Sequence, residues 1–323
     1  MSNVVPNRKI NEFVKNERSE GFYLIKSIGL KTTNSNGKKY LDFILADSTG
    51  EITAKKWEVK DGEEAEFKAN TIVKIRGMVT SWQTALQLKI EQIRNINDED
   101  GVNIDDYVQS APIDSKTMFE TIETYINNMK NDDIKNIVKL MVEKNKDKLM
   151  YYPAAKKNHH SIKGGLLYHV TTMLSLGEKI CNIYDFLNTD LIYAGIILHD
   201  LAKIKEMASS ELGIVDDYTL EGTLLGHITQ GVKEIELVAN EINADKKIVV
   251  LLEHMVLSHH YEPEYGSPIK PMIPEAEILH YIDLIDARMY DMRKVKNETK
   301  VGDFSERLWS LENRRIYNHG LDE

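Results

Sequence analysis

Hydrophobic and polar positions alternate with two different periods along this chain, and the change of period divides it in two. From Gly21 to Ile90 the apolar residues come in short alternating runs: 22–25, 40–47, 50–57, 72–79 and 85–90. Successive side chains of a strand point to opposite faces, so these runs predict half-buried strands. Turn-forming stretches separate them, notably Asn34-Ser35-Asn36-Gly37 and Asp47-Ser48-Thr49-Gly50. About five short antiparallel strands in succession predict a small closed β-barrel. The polar residues before Gly21 predict a short strand or helix packed on another element.

Asn97-Asp98-Glu99-Asp100-Gly101 ends that pattern, and residues 97–112 read as a linker. Beyond it, apolar residues recur every three to four positions. Met118, Phe119, Ile122, Tyr125, Ile126 and Met129 predict one helix, and Ile134, Ile137, Val138 and Met141 another. After a loop over 154–165, nearly continuous helix is expected to about Met292, with breaks at 187–189, 209–217 and 262–274. One of these helices is expected over 190–205, capped by Thr189 or Asp190. Phe304, Leu308 and Trp309 are expected to anchor the charged tail. The fold class is therefore multidomain β + α, with a barrel over 1–96 and an all-α domain over 113–323.

Composition adds modest constraints. The 323 residues are 42% hydrophobic and 28% charged, which is ordinary for a globular protein. No leader-like apolar segment opens the chain, and the run Leu191–Leu198 is too short to span a bilayer, so a cytoplasmic protein with no membrane partner is expected. The single cysteine, Cys181, reads as a helix-face hydrophobe. Net charge is −10, which by itself disfavours nucleic acid. Residues 1–96, however, hold 16 basic against 12 acidic side chains, a balance of +4, which leaves −14 for the rest. A basic arm on an acidic body suits a polyanion held by the first part and cut in the second.

The chemistry concentrates in the helical part, because no histidine precedes His159. His169 lies on an amphipathic helix, His199-Asp200 end an apolar one, and His227 follows Gly226. His259-His260 close a fourth helix, and Asp283 and Asp286 lie on a fifth. Adjacent helix positions point about 100° apart, so two buried polar neighbours such as His199 and Asp200 each need a partner. Imidazoles and carboxylates converging from several helices predict a metal site. Without thiolates the set suits Mn²⁺, Fe²⁺, Co²⁺ or Zn²⁺ better than Ca²⁺.

Two resemblances sharpen this reading. The strand order, the turn Asp47-x-x-Gly50 before Ile52-x-Ala54-x-x-Trp57, and Val73-x-Ile75-x-Gly77 resemble an OB-fold, a barrel that often binds single-stranded nucleic acid. Lys55, Lys56, Trp57, Lys74, Arg76 and Trp82 are its candidate cations and stacking faces. His169, His199-Asp200 and Asp283 resemble the H…HD…D signature of HD-domain metal-dependent phosphohydrolases, and His227, His259 and His260 the extra histidines of two-metal members. With Gly164-Gly165-Leu166-Leu167-Tyr168-His169, Leu257-Ser258-His259-His260 and Glu264-Tyr265-Gly266-Ser267-Pro268, nearly the whole chain is similar to the YhaM-type 3′-5′ exoribonucleases.

The resemblance implies that His169, His199, Asp200 and Asp283 hold one ion. Asp200 would bridge to a second ion held by His227, His259 and, as a further candidate, His260. Two such ions serve phosphodiester hydrolysis without a protein nucleophile, and no serine or cysteine triad is evident. Asp200 and Lys203 are the candidate catalytic residues, Lys203 lying one helical turn on, where it equally suits a helix C-terminus. Tyr261, Tyr265 and Ser267 are candidates for a rim that stacks a terminal base, and His159, His160 and Lys163 for substrate contact. The expected activity is metal-dependent 3′-5′ hydrolysis of single-stranded RNA, with single-stranded DNA as a further substrate, to nucleoside 5′-monophosphates. Mn²⁺ is the first expectation for the metal, and a homo-oligomer is compatible with the sequence. Two rivals remain: an HD hydrolase of a small or cyclic nucleotide with a regulatory barrel, and a DNA-binding protein with a structural HD body.

Overall fold

A computed structural model of the chain describes residues 4–6, 8–33, 37–60, 62–82, 85–156 and 160–321. They fall into two compact units, Met1–Ser110 and Ala111–Glu323.

The first unit contains β1 (Val4–Pro6), β2 (Arg18–Thr32), β3 (Lys39–Asp47), β4 (Gly50–Trp57), β5 (Ile72–Trp82) and β6 (Ala85–Asn95). The last five close a barrel in the order β2-β3-β4-β6-β5, with β5 returning to β2. A ring of five strands cannot alternate direction at every contact, and the parallel pair falls at β4–β6. The wholly antiparallel barrel expected from the alternation is corrected on that point. β2 is longer than its predicted core. Arg18 to Leu24 pair with β5 and Leu24 to Thr32 with β3, across a register shift between Ile25 and Ser27. Such a bulge bends the strand, which lets β2 serve both halves of the wall. β1 runs parallel to the start of β2 and supplies the short strand expected before Gly21. Tyr23, Ile25, Leu41, Phe43, Leu45, Ile52, Ala54, Val73, Ile75 and Leu88 fill the interior, as the alternation requires. The acidic segment after Asn95 folds as two 3₁₀ turns, Asp98–Asp100 and Ile104–Tyr107, the second packed on β2 and β3.

The second unit contains α1 (Ser115–Asn127), α2 (Asp132–Lys144), α3 (Lys146–Leu149), α4 (Gly165–Ile183), α5 (Thr189–Leu198), α6 (Lys203–Glu206), α7 (Leu220–Ile242), α8 (Lys246–Ser258) and α9 (Pro274–Glu298). At its centre is α5. Its residues are apolar on every side, so it is stable only when surrounded, and it packs on α2, α4, α8 and α9. The helix expected over 190–205 is instead two. Asn188, not Thr189 or Asp190, accepts a hydrogen bond from Leu191 N–H as the cap, and the helix ends at Leu198. Asp190 accepts from the Lys130 and Asn131 N–H groups, joining α5 to the start of α2. The break expected over 209–217 holds a hairpin, β7 (Met207–Ser209) with β8 (Val215–Tyr218). Cys181 is half-buried against the helical core, as a helix-face hydrophobe should be.

The tail also departs from expectation. Trp309 is 80% exposed and Phe304 55%, so neither anchors it. Leu311, three residues past half-buried Leu308, is fully buried and does so, beside an Arg288–Glu312 ion pair of 2.6 Å. Among the described residues no helix is long and apolar enough to cross a membrane.

Candidate metal centre

Asp200 lies two residues past the end of α5, and four other helices aim side chains at it. α4 contributes His169, the C-cap of α5 His199, α7 His227, the C-cap of α8 His259 and the next turn His260, and α9 Asp283. Asp200 Oδ2 is 3.4 Å from His199 Nε2 and 3.9 Å from His169 Nε2, whereas Oδ1 is 3.3 Å from His227 Nε2 and 3.9 Å from His259 Nε2. His169 Nε2 is also 3.3 Å from Asp283 Oδ1. Among the described residues the donor atoms form three groups, each spanning at most 4.8 Å: Asp200, His227, His259 and His260; His169, His199 and Asp200; and His160, His169 and Asp286. Asp200 belongs to the first two, one oxygen towards each.

Local structure explains the placement of His227. Gly226 has φ 68° and ψ 167°, a conformation nearly confined to glycine, and it kinks α7 there. The kink frees the His227 N–H from the helix ladder. Glu206 Oε1, at the end of α6, accepts both that N–H and His227 Nδ1–H, each at 3.1 Å. The other rings are held in the same way. Nδ1 of His199 donates to Ile196 O, that of His259 to Val256 O, that of His260 to Tyr265 O, and that of His169 to Asp286 Oδ2. A proton fixed on Nδ1 leaves the Nε2 lone pair for a metal.

The residues fit a metal by a direct criterion. His199 Nε2, Asp200 Oδ1, His227 Nε2 and His259 Nε2 are buried, face one small space, and have no hydrogen-bond partner among the described residues. Leaving each buried polar atom unsatisfied costs about 1–3 kcal/mol, so four together call for an occupant. Lone pairs of this kind attract a cation rather than a hydrogen-bond acceptor, and the imidazole and carboxylate donors suit a divalent transition ion.

Electrostatics support the same occupancy. Burial pushes His259 well below the ordinary histidine range, with His260 and His199 adding to the effect, and burial also lowers His260. Both imidazoles are therefore neutral at neutral pH. Burial opposes the charge on Asp200, but Lys203, His199 and His227 outweigh it and keep the carboxylate ionised. His169 behaves oppositely: burial works against its charge, yet hydrogen bonds to Asp283 and Asp286 push it up to about 10. In the metal-free protein a proton thus occupies the position an ion would take.

Other candidates separate clearly. Lys203 Nζ donates to Asp200 Oδ2 at 2.6 Å; burial disfavours its charge, but Asp200, Asp283 and Glu206 raise it, so it stays a cation. His254 accepts from Met272 N–H and stays outside the centre, as its position five residues before His259 suggests. His280 donates to His259 O. Ser267 accepts from His260 N–H, Tyr261 lies against His280 beneath Lys270, and Tyr265 is exposed. His159 lies outside the described residues. His160, a candidate for substrate contact from the loop over 154–165, is instead buried and donates to Asp286. Glu206 and its role were missed from sequence.

On the barrel, Lys55 and Trp57 share the outer face of β4. Lys55 Nζ stands 5.8 Å from the Trp57 ring centre and 5.1 Å from that of Tyr40, and the two rings stack at 4.7 Å. Trp57 also lines an open groove of about 510 Å³ with Lys38, Lys39, Glu58 and Val59. Lys56 lies apart: alternation turns it the other way, into a 2.8 Å ion pair with Glu63. Lys74 pairs with Glu20 at 3.3 Å and lies over Phe22, and Arg76 is half-buried farther along β5. The side chain of Trp82 is outside what the structure describes.

Comparison with known proteins agrees with this architecture. A family model described as an OB-fold nucleic acid binding domain matches residues 25–96, and one described as an HD domain matches residues 166–288. The 3′-5′ exoribonuclease YhaM of Bacillus subtilis is 44% identical over 301 residues, which cover 93% of this chain and 95% of that protein. The protein of the same name from Bacillus velezensis is also 44% identical, with the same coverage. Among solved structures, the second OB-fold domain of replication protein A from Methanococcus maripaludis is 22% identical over 28% of this chain and 95% of its own, with a TM-score of 0.24.

Proposed function

Because the chain belongs to the YhaM family of 3′-5′ exoribonucleases, we propose that it shortens single-stranded RNA from the 3′ end and releases nucleoside 5′-monophosphates. The observation that carries the reading is that buried Nε2 of His199, His227 and His259 and Oδ1 of Asp200 have no hydrogen-bond partner among the described residues. In this proposal His169, His199, Asp200 and Asp283 hold one divalent ion and Asp200, His227, His259 and His260 a second, with Mn²⁺ as the working metal. Bound ions would supply positive charge to the phosphodiester oxygens and acidity to the attacking water. The chain's own groups do the rest. Asp200 presents one oxygen to each half of the site, and Lys203, protonated at neutral pH, holds that carboxylate and has donors left for a phosphate. Glu206 and Asp286 keep the His227 and His169 rings turned inward.

Residues 1–96 are proposed to grip the strand, with Lys55, Trp57 and Tyr40 as the stacking and charge platform and Lys74 and Arg76 beside it. Stacking is tolerant of base identity, so single-stranded DNA is proposed as a further substrate. Residues 113–323 are proposed to carry the hydrolysis. The test is incubation of 5′-labelled single-stranded RNA and its DNA counterpart with Mn²⁺-supplemented protein. A ladder shortening from the 3′ end is expected; hydrolysis of cyclic or mononucleotides with the RNA left intact would overturn the proposal.

A further inference from the structure

Asp286 Oδ2 accepts two hydrogen bonds, from His169 Nδ1–H at 2.7 Å and from His160 Nε2–H at 2.8 Å. An ionised carboxylate has only acceptors, so both nitrogens carry hydrogen, and the proton on His169 is thereby placed on Nδ1. His160 is remote in sequence but built in. It is 1% exposed, its ring lies 4.0 Å from that of Tyr290, and its edge meets Tyr168 at 5.2 Å. Its backbone is left-handed, φ 55°, which is uncommon for a residue with a Cβ. Its carbonyl accepts from Ala154 N–H at 3.1 Å and lies so close to the start of α4 that a Cβ on Gly165 would come within 2.0 Å of it. Glycine at 165 is therefore what allows His160 to seat against this helix, one turn from His169.

We infer that His160 is a positioning residue of the metal centre: it pins Asp286, and Asp286 pins the ring and tautomer of His169. The inference rests on the proposed role of His169 as a ligand. A partner that orients a ligand acts on metal affinity as much as on stability, and loss of such a partner typically weakens binding about 10–100-fold.

The test uses the full chain, native and as His160→Ala, His160→Gln, Asp286→Asn and the His160→Ala/Asp286→Asn double variant. Mn²⁺ affinity is measured by calorimetry, bound Mn²⁺ per chain after dialysis, and melting temperature on the same samples. His160→Ala is expected to weaken Mn²⁺ binding about 10–100-fold. His160→Gln, whose amide can still donate, should recover part of the loss. In the Asp286→Asn background His160→Ala should add little, because the path is already broken. Unchanged Mn²⁺ affinity in His160→Ala, with or without a lower melting temperature, would overturn the inference, as would the same further loss in both backgrounds. Absence of Mn²⁺ uptake by the native protein would overturn the metal reading, and this inference with it.

Discussion

Asp200 turns one carboxylate oxygen towards His199 and His169 and the other towards His227 and His259, so its removal takes a donor atom from both groups at once. Asp200→Ala is expected to abolish the 3′ ladder while leaving strand affinity, measured by gel shift, close to native. Persistent hydrolysis by metal-replete variant would place the centre elsewhere. The elevated His169 gives a second expectation. Its folded value lies above its unfolded one, so in metal-free protein it stabilises the fold fully below about 6.5, the ordinary histidine value, and progressively less as pH rises towards about 10. An ion binding at Nε2 must displace that proton. Mn²⁺ uptake at neutral pH should release about one proton from this side chain, read from how the binding heat varies with the ionisation enthalpy of the buffer, and affinity should rise with pH. At this scale the histidines and aspartates that converge were legible in sequence. His160 and Glu206 were not, because Asp286 lies 126 positions from His160 and His227 lies 21 from Glu206, with nothing periodic linking them.

Among the elements, α7 shows how one backbone position governs where a histidine points. Gly226→Ala forces a Cβ into a conformation nearly reserved for glycine, at a cost of about 1–3 kcal/mol, or a helix that no longer kinks. Melting of the helical unit should fall by several degrees, on the scale of about 2–4 °C per kcal/mol for a unit of this size, and Mn²⁺ uptake should fall with it. Unchanged metal binding would show that the kink does not aim His227. Element type was readable wherever the period was long and regular, as in the barrel strands and the long helices. Ends were less so. Helix 190–205 split because Asn188 and the turn at 199–202 decide its limits, and tail packing fell to Leu311 rather than the larger Trp309, since burial depends on what lies opposite.

For the whole molecule, two compact units with separate cores predict two responses to metal. EDTA should stop hydrolysis and Mn²⁺ restore it. In calorimetry the transition of the helical unit should rise on adding Mn²⁺, by about 2.7 kcal/mol of stability at a hundred times the dissociation constant, with the barrel transition unmoved. A shift of both transitions together would show that the units unfold as one. By itself the sequence determined the change from a barrel to a helical unit, through the switch of apolar period from two to between three and four, and it supplied the histidines and aspartates of a metal centre. Only the tertiary structure decided which of them meet. Convergence on Asp200 depends on helix packing, on the kink at Gly226 and on carboxylates far along the chain. Those distances arise from burying apolar faces against one another, a property that no local stretch of sequence contains.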